Sequence, residues 1–114
     1  MKLDYDLMRE LLMKAEDDTD GCNPLSSFHF SKSFPDVDML KLEYHLKYLS
    51  DAGFVEGEDG YIVDITPYGR DYLENIRNHS VWEETKKKFQ PLGSVTVSVI
   101  SEIAKSIVLS RLGL

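Results

Sequence analysis

Apolar residues recur along this chain with two different periods, and the switches between them mark out its elements. From Asp4 to Glu16, Leu7, Met8, Leu11, Leu12 and Ala15 share one face at helical spacing, with Asp4 or Asp6 suited to the N-terminal end. The acidic run DDTDG (Asp17 to Gly21) ends that helix, and Cys22 to Ser27, broken by Pro24, reads as loop. Phe28-His29-Phe30 alternates and predicts a short edge strand. Asp36 to Ala52 returns to the helical period. Met39, Leu42, Leu46 and Leu49 form one stripe, and the opposite side carries Val37, Leu40, Tyr44 and Tyr48, with Lys47 and Asp51 among them. A helix apolar on two sides is either sandwiched within its own chain or in contact with a partner, and both readings stay open.

Gly53 suits a left-handed cap after this helix. Phe54 to Glu58 and Tyr61 to Ile65 then alternate as the arms of a hairpin around Asp59-Gly60, a good two-residue turn. Thr66-Pro67 pairs an N-cap with proline at the first helical position, and the helix it opens runs to about Arg77. Ser80-Val-Trp-Glu83 has the capping-box pattern and predicts a fresh helix to about Phe89. Pro91 and Gly93 break the chain. From about Val95 to Leu112, Val99/Ile100, Ile103/Ala104, Ile107/Val108 and Leu112 share a helical face, although its start, VTVSV, fits an extended segment equally well. This last helix is rich in β-branched residues and poor in i,i+4 ion pairs, so it needs a packing surface. The Leu40/Tyr44/Tyr48 side, or the same helix of a second subunit, would serve.

The elements define an α+β, mostly helical class: a helix, a strand, a helix, a small antiparallel hairpin and further helices. That is the order of a winged-helix-like domain with a helical C-terminal extension, here residues 1–66 and 67–114, forming one structural domain overall. HLKYLSDAGFV resembles the helix, Ala-Gly-apolar and wing sequence of winged-helix regulators. MKLDYDLMRELLMKAE, YHLKYLSDAGFVEG, ITPYGRDYLENIRNHSVWEETKKK and the closing LGL are similar to an uncharacterised family of short bacterial and phage proteins, a domain of unknown function. The resemblance implies a winged-helix-like fold in a phage or mobile-element setting, and no reaction. Between Phe34 and Gly53 there is little room for two helices and a turn.

Charge changes what that shape suggests. At 114 residues the chain has the length of one domain with a modest core. Its net charge is −7, spread as −9 over residues 1–80 (17 acids, 8 bases) and +2 over residues 81–114 (3 acids, 5 bases). Phosphates supply most non-specific nucleic-acid affinity, so any DNA contact needs a local basic patch. The Asp36–Ala52 helix carries −2 and the hairpin −4, from Glu56, Glu58, Asp59 and Asp64. The helix also lacks Arg, Asn and Gln, the usual readers of base edges. Nucleic acid is therefore disfavoured at the wing. Arg70, Arg77, Lys86, Lys87 and Lys88 form the candidate basic ridge elsewhere, with a solvated helix surface as the plainer explanation.

Catalytic chemistry finds no motif. His29, His45 and His79 lack metal-ligand spacing, the acidic loop lacks a calcium-binding pattern, and Glu83-Glu84 diverge on a helix. No catalytic, cofactor-binding or metal residue is assigned, and no small molecule is evident. His45 reads as a packing or hydrogen-bonding residue and Trp82 as core. The lone Cys22 and the charged N-terminus point to a cytoplasmic protein, and no run of eighteen apolar residues offers a membrane span. What remains is a non-catalytic module acting by protein contact or self-association through Leu40, Tyr44 and Tyr48, with DNA-binding regulation from a non-wing basic surface as the alternative.

Overall fold

The computed structural model describes all 114 residues, Met1–Leu114. Its order is α1 (Tyr5–Asp18), α2 (Ser27–Ser31), α3 (Met39–Asp51), β1 (Val55–Glu56), β2 (Asp64–Ile65), α4 (Pro67–Ile76), α5 (His79–Phe89) and α6 (Val97–Arg111). A single 3-10 turn, Gln90–Leu92, separates α5 from α6, and β1 and β2 form the one antiparallel sheet. The α+β, mostly helical class expected from the sequence holds. The chain divides into two compact units, residues 1–70 and 71–114.

In the first unit the whole predicted stripe of α1 is buried, from Leu7 to Ala15. The Asp4 carboxylate caps this helix by accepting the Leu7 N–H at 3.0 Å. On α3, Leu42, Leu46 and Leu49 are buried, whereas Met39 at the first turn is exposed. The helix begins three residues later than its periodicity suggests because the Asp38 side chain caps it, accepting the Leu40 N–H at 2.9 Å. His45 locks α1 to α3. Its Nε2 accepts the Asp4 N–H at 2.8 Å, which leaves Nδ1 to carry the ring proton and donate to the Lys41 carbonyl at 2.8 Å. Lys41 Nζ completes the tie by donating to the Asp4 carboxylate at 2.8 Å. A fully buried imidazole with both nitrogens bonded is what a low-dielectric site requires of it.

The hairpin is shorter than its alternation suggests. Val55 faces Ile65 and Glu56 faces Asp64. The Val63 N–H also donates to the Glu56 carbonyl at 2.8 Å, so two residues oppose one and regular pairing stops there. Asp59 and Gly60 both have positive φ (52° and 83°), as a primed two-residue turn demands. Gly53 also takes the left-handed conformation expected of it, at φ 82°.

The expected Phe28–Phe30 edge strand is instead α2. Ser26 caps it by accepting the His29 N–H, Phe30 is buried and Phe28 is exposed. Three residues are too few to separate a period of two from one of 3.6. The extended residue lies just upstream: Leu25 and Ile62 form an isolated antiparallel bridge, with N–H to O distances of 2.8 and 2.9 Å.

Thr66 opens α4 as expected, its Oγ1 accepting the Gly69 N–H at 3.0 Å. In the second unit α5 starts one residue before the predicted capping-box serine. Its cap is Asn78, whose Oδ1 accepts the Val81 N–H at 3.0 Å. Thr96 caps α6, which settles the ambiguous VTVSV segment as helical from Val97. The helix α6 packs on α5, with Val81, Trp82 and Phe89 buried on one and Ile100, Ala104 and Ile107 on the other. Its packing surface is thus a neighbouring helix of the same chain. Val99 and Leu112, expected on the buried face, are exposed. Asn75 Nδ2 donates to Ser101 Oγ at 3.0 Å, and Arg111 donates to Glu84 at 2.9 Å and Ser80 at 3.0 Å.

Candidate interaction face

The second apolar side of α3 is a surface. Leu40 is 72% exposed and Tyr44 40%, while Tyr48 is half-buried. The three stand four residues apart, so they stack along one side of the helix. Two aromatic residues outside α3 join them: the Tyr48 phenol lies within electrostatic reach of those of Tyr5, Tyr68 and Tyr44. Tyr68 is 54% exposed and stacks on the buried Phe54, ring centroids 5.0 Å apart and planes 19° from parallel. Tyr44 meets the His45 ring edge-on at 5.5 Å. Sequence reasoning missed Tyr5 and Tyr68, because each belongs to a different helix and no single-helix periodicity links them to α3.

Burial, and then the neighbouring phenols, hold the Tyr48 hydroxyl above the ordinary tyrosine value, and burial alone does the same for Tyr5. Acids near the ends of α1 shift the other way. For Asp4, burial pushes up, but hydrogen bonds from Lys41 and the Leu7 N–H outweigh it and leave the carboxyl lowered. Asp18 is lowered chiefly by its 2.9 Å hydrogen bond with His29 Nε2. Asp20 falls to about 2 because its side chain accepts the Asn23 N–H, the Asn23 amide and the Cys22 N–H.

Each of these aspartates binds its proton less readily in the folded chain than in the unfolded one. Their stabilisation is full above the unfolded value of about 4 and is lost as pH falls through their lowered folded values, about 2 for Asp20. Tyr5 and Tyr48 act at the other end. Their phenols resist ionisation when folded, so stability should decline above pH about 10. Urea midpoints across pH should trace a plateau between these two losses. A midpoint unchanged from pH 6 down to pH 2 would contradict the hydrogen-bonded carboxylates.

Three of the five bases of the candidate ridge are engaged by separate local carboxylates. Arg70 belongs to the first unit and reaches Glu16 at 3.4 Å and Asp64 at 3.6 Å. Arg77, Lys86, Lys87 and Lys88 belong to the second. Arg77 pairs with Glu74 at 2.7 Å; Lys86 pairs with Glu83 at 3.0 Å and sits 5.8 Å from the centre of the Trp82 ring. Lys87 and Lys88 are exposed in the last turn of α5, where positive charge complements the helix dipole.

Two clefts flank α3 and the hairpin in the first unit. One, of about 530 Å³, is lined by Ser26, Glu43, Lys47, Asp51, Asp59 and Tyr61 among others. The second, of about 870 Å³, runs along Val55–Asp59 and shares Ser50, Asp59 and Tyr61 with it. Lys47, the one base in either lining, bonds to Asp51. No three His, Cys, Asp or Glu side chains are grouped to hold a metal ion, His79 is exposed at the start of α5, and no helix is long and apolar enough to cross a membrane.

No curated protein and no solved structure matches the chain. The family model described as hypothetical protein DUF2513 matches residues 2–96, and the chain belongs to that family.

Proposed function

We propose that this chain is a non-catalytic, winged-helix-like module that acts in the cytoplasm by protein contact through the α3 face. Element order supports the fold reading. A bridge residue, Leu25, lies between α1 and α2 and pairs with the hairpin arm at Ile62, so three extended segments flank the helices in the sequence α1, bridge, α2, α3, hairpin. On this reading α2, five residues long and upstream of Phe34, would stand as the short second helix. In a DNA-reading protein of this shape α3 would enter the major groove. Here its outer side presents Leu40 and Tyr44, and the adjoining hairpin presents carboxylates. That exposed apolar side on the would-be reading helix is the observation that carries the proposal.

Nucleic-acid binding through a non-wing basic surface is the second reading, favoured by exposed Lys87 and Lys88. Titration of random duplex DNA at low and then moderate salt separates the two. The protein-contact reading expects no binding even at low salt, and steeply salt-sensitive binding lost in Lys86→Glu plus Lys87→Glu would reverse the ranking. Tyr44→Asp should leave the unfolding midpoint within about 0.5 kcal/mol of wild type, as a surface change does. A collapse of the fold in that variant would mean the ring is core and would remove the face.

A further inference from the structure

We propose that the α3 face is occupied by a second copy of this chain, docked about a two-fold axis that passes beside Tyr44. The inference rests on the reading of that face as an interaction surface and names its partner. A two-fold contact requires a patch complementary to itself. The α3 stripe has that property, because Leu40 and Tyr48 lie four residues to either side of Tyr44. Antiparallel docking of two α3 helices sets Tyr44 against Tyr44 at the axis. Leu40 of each copy then meets Tyr48 of the other, joining an exposed aliphatic side chain to a half-buried phenol twice over.

Charge supports the same pairing. At 100° per residue Glu43 and Lys47 lie on one flank of the stripe, about 100° and 60° from Tyr44. Both are exposed, Lys47 with 74% of its side chain accessible. Antiparallel packing brings Glu43 of one copy beside Lys47 of the other, where Lys47, which bonds to Asp51 of its own helix, would bridge two carboxylates, and the symmetry repeats the arrangement. On the opposite flank Lys41 is already neutralised by Asp4.

Size sets the strength. A standard interface covers about 800 Å² per partner. The 13 residues of α3 span about 20 Å. A single-helix face of this length is small for that class, so a weak, readily dissociating dimer is expected.

Sedimentation equilibrium of the full chain over a wide concentration range tests this directly. The expected result is a monomer–dimer equilibrium that weakens modestly as salt screens the flanking charge pairs. Tyr44→Asp should abolish it, Lys47→Glu or Glu43→Lys should each weaken it about tenfold, and the two together should restore it. In a Cys22→Ser background, Tyr44→Cys should cross-link to itself on oxidation. Leu40→Cys should cross-link when mixed with Tyr48→Cys and not with itself. Far-UV circular dichroism on each variant confirms that the fold is intact. A wild-type chain that stays monomeric overturns the dimer. If partner capture is nonetheless lost in Tyr44→Asp, the interaction face stands with a different occupant. A dimer indifferent to Tyr44→Asp and to both charge variants overturns the proposal by placing self-association elsewhere.

Discussion

Replacing Gly69 with alanine is expected to destabilise the first unit by about 3 kcal/mol or more, at the upper end of what one methyl group does. Propensity argues for the opposite sign, since alanine is the better helix former by about 1 kcal/mol. Sterics decide the matter. A Cβ at Gly69 would overlap the carbonyl oxygen of Phe54 and lie 2.9 Å from both the Phe54 carbonyl carbon and Ile65 Cγ1. The carbonyl cannot swing away cheaply, because it accepts the Thr66 N–H at 3.0 Å. Ile65 is buried and has no free space to enter. The first turn of α4 would have to lift off the strand, releasing the Thr66 cap and the Phe54–Tyr68 stack together. Urea unfolding followed by far-UV circular dichroism measures the loss. Wild-type stability in Gly69→Ala would show that α4 is not seated this closely on Phe54 and Ile65.

Trp82→Ala is expected to cost about 3–5 kcal/mol, a large part of the stability of any small domain. Trp82 is 1% exposed and its ring centroid lies 6.1 Å from that of Phe89. Truncation removes the largest buried side chain of α5 and leaves a cavity that two short helices held by their caps cannot easily close. It also takes away the ring over which Lys86 lies, a smaller contribution at a partly exposed site. Trp82 is the only tryptophan, so the variant has no indole fluorescence and its unfolding is followed by circular dichroism. Trp82→Phe should recover a substantial part of the loss by refilling the site. Equal instability of the alanine and phenylalanine variants would implicate something other than packing volume.

The parts of this fold that could be read from the sequence are those where one residue type has one local use. Gly53, Asp59-Gly60 and Thr66-Pro67 each fixed a turn or cap correctly, because few residues tolerate those backbone positions. The α1 stripe was equally legible, since five apolar residues on one face leave little choice of period. Errors arose where two residues competed for one role or where a segment was too short to show a period. Asn78 and Ser80 are both good caps, and in the structure Asn78 takes the role. Phe28–Phe30 is too short to distinguish strand from helix, and the true extended residue, Leu25, is revealed only by a partner 37 positions away.

Of the interaction face, Leu40, Tyr44 and Tyr48 were visible as an unexplained apolar side of α3. Tyr5 and Tyr68 were not, because their proximity to Tyr48 exists only after folding. The basic ridge shows the converse. Five bases that look continuous along the chain are, in the structure, mostly engaged by nearby carboxylates.

The two-residue length of β1 and β2 has a kinetic consequence. An isolated hairpin of that size is not stable in water, and its further ties, Leu25 with Ile62 and the Gly21 N–H to the Val63 carbonyl at 3.1 Å, close loops of 37 and 42 residues. The link between Asp4 and His45 spans 41. These closures are long-range, so the sheet is expected to form after the helices it rests on rather than to nucleate folding.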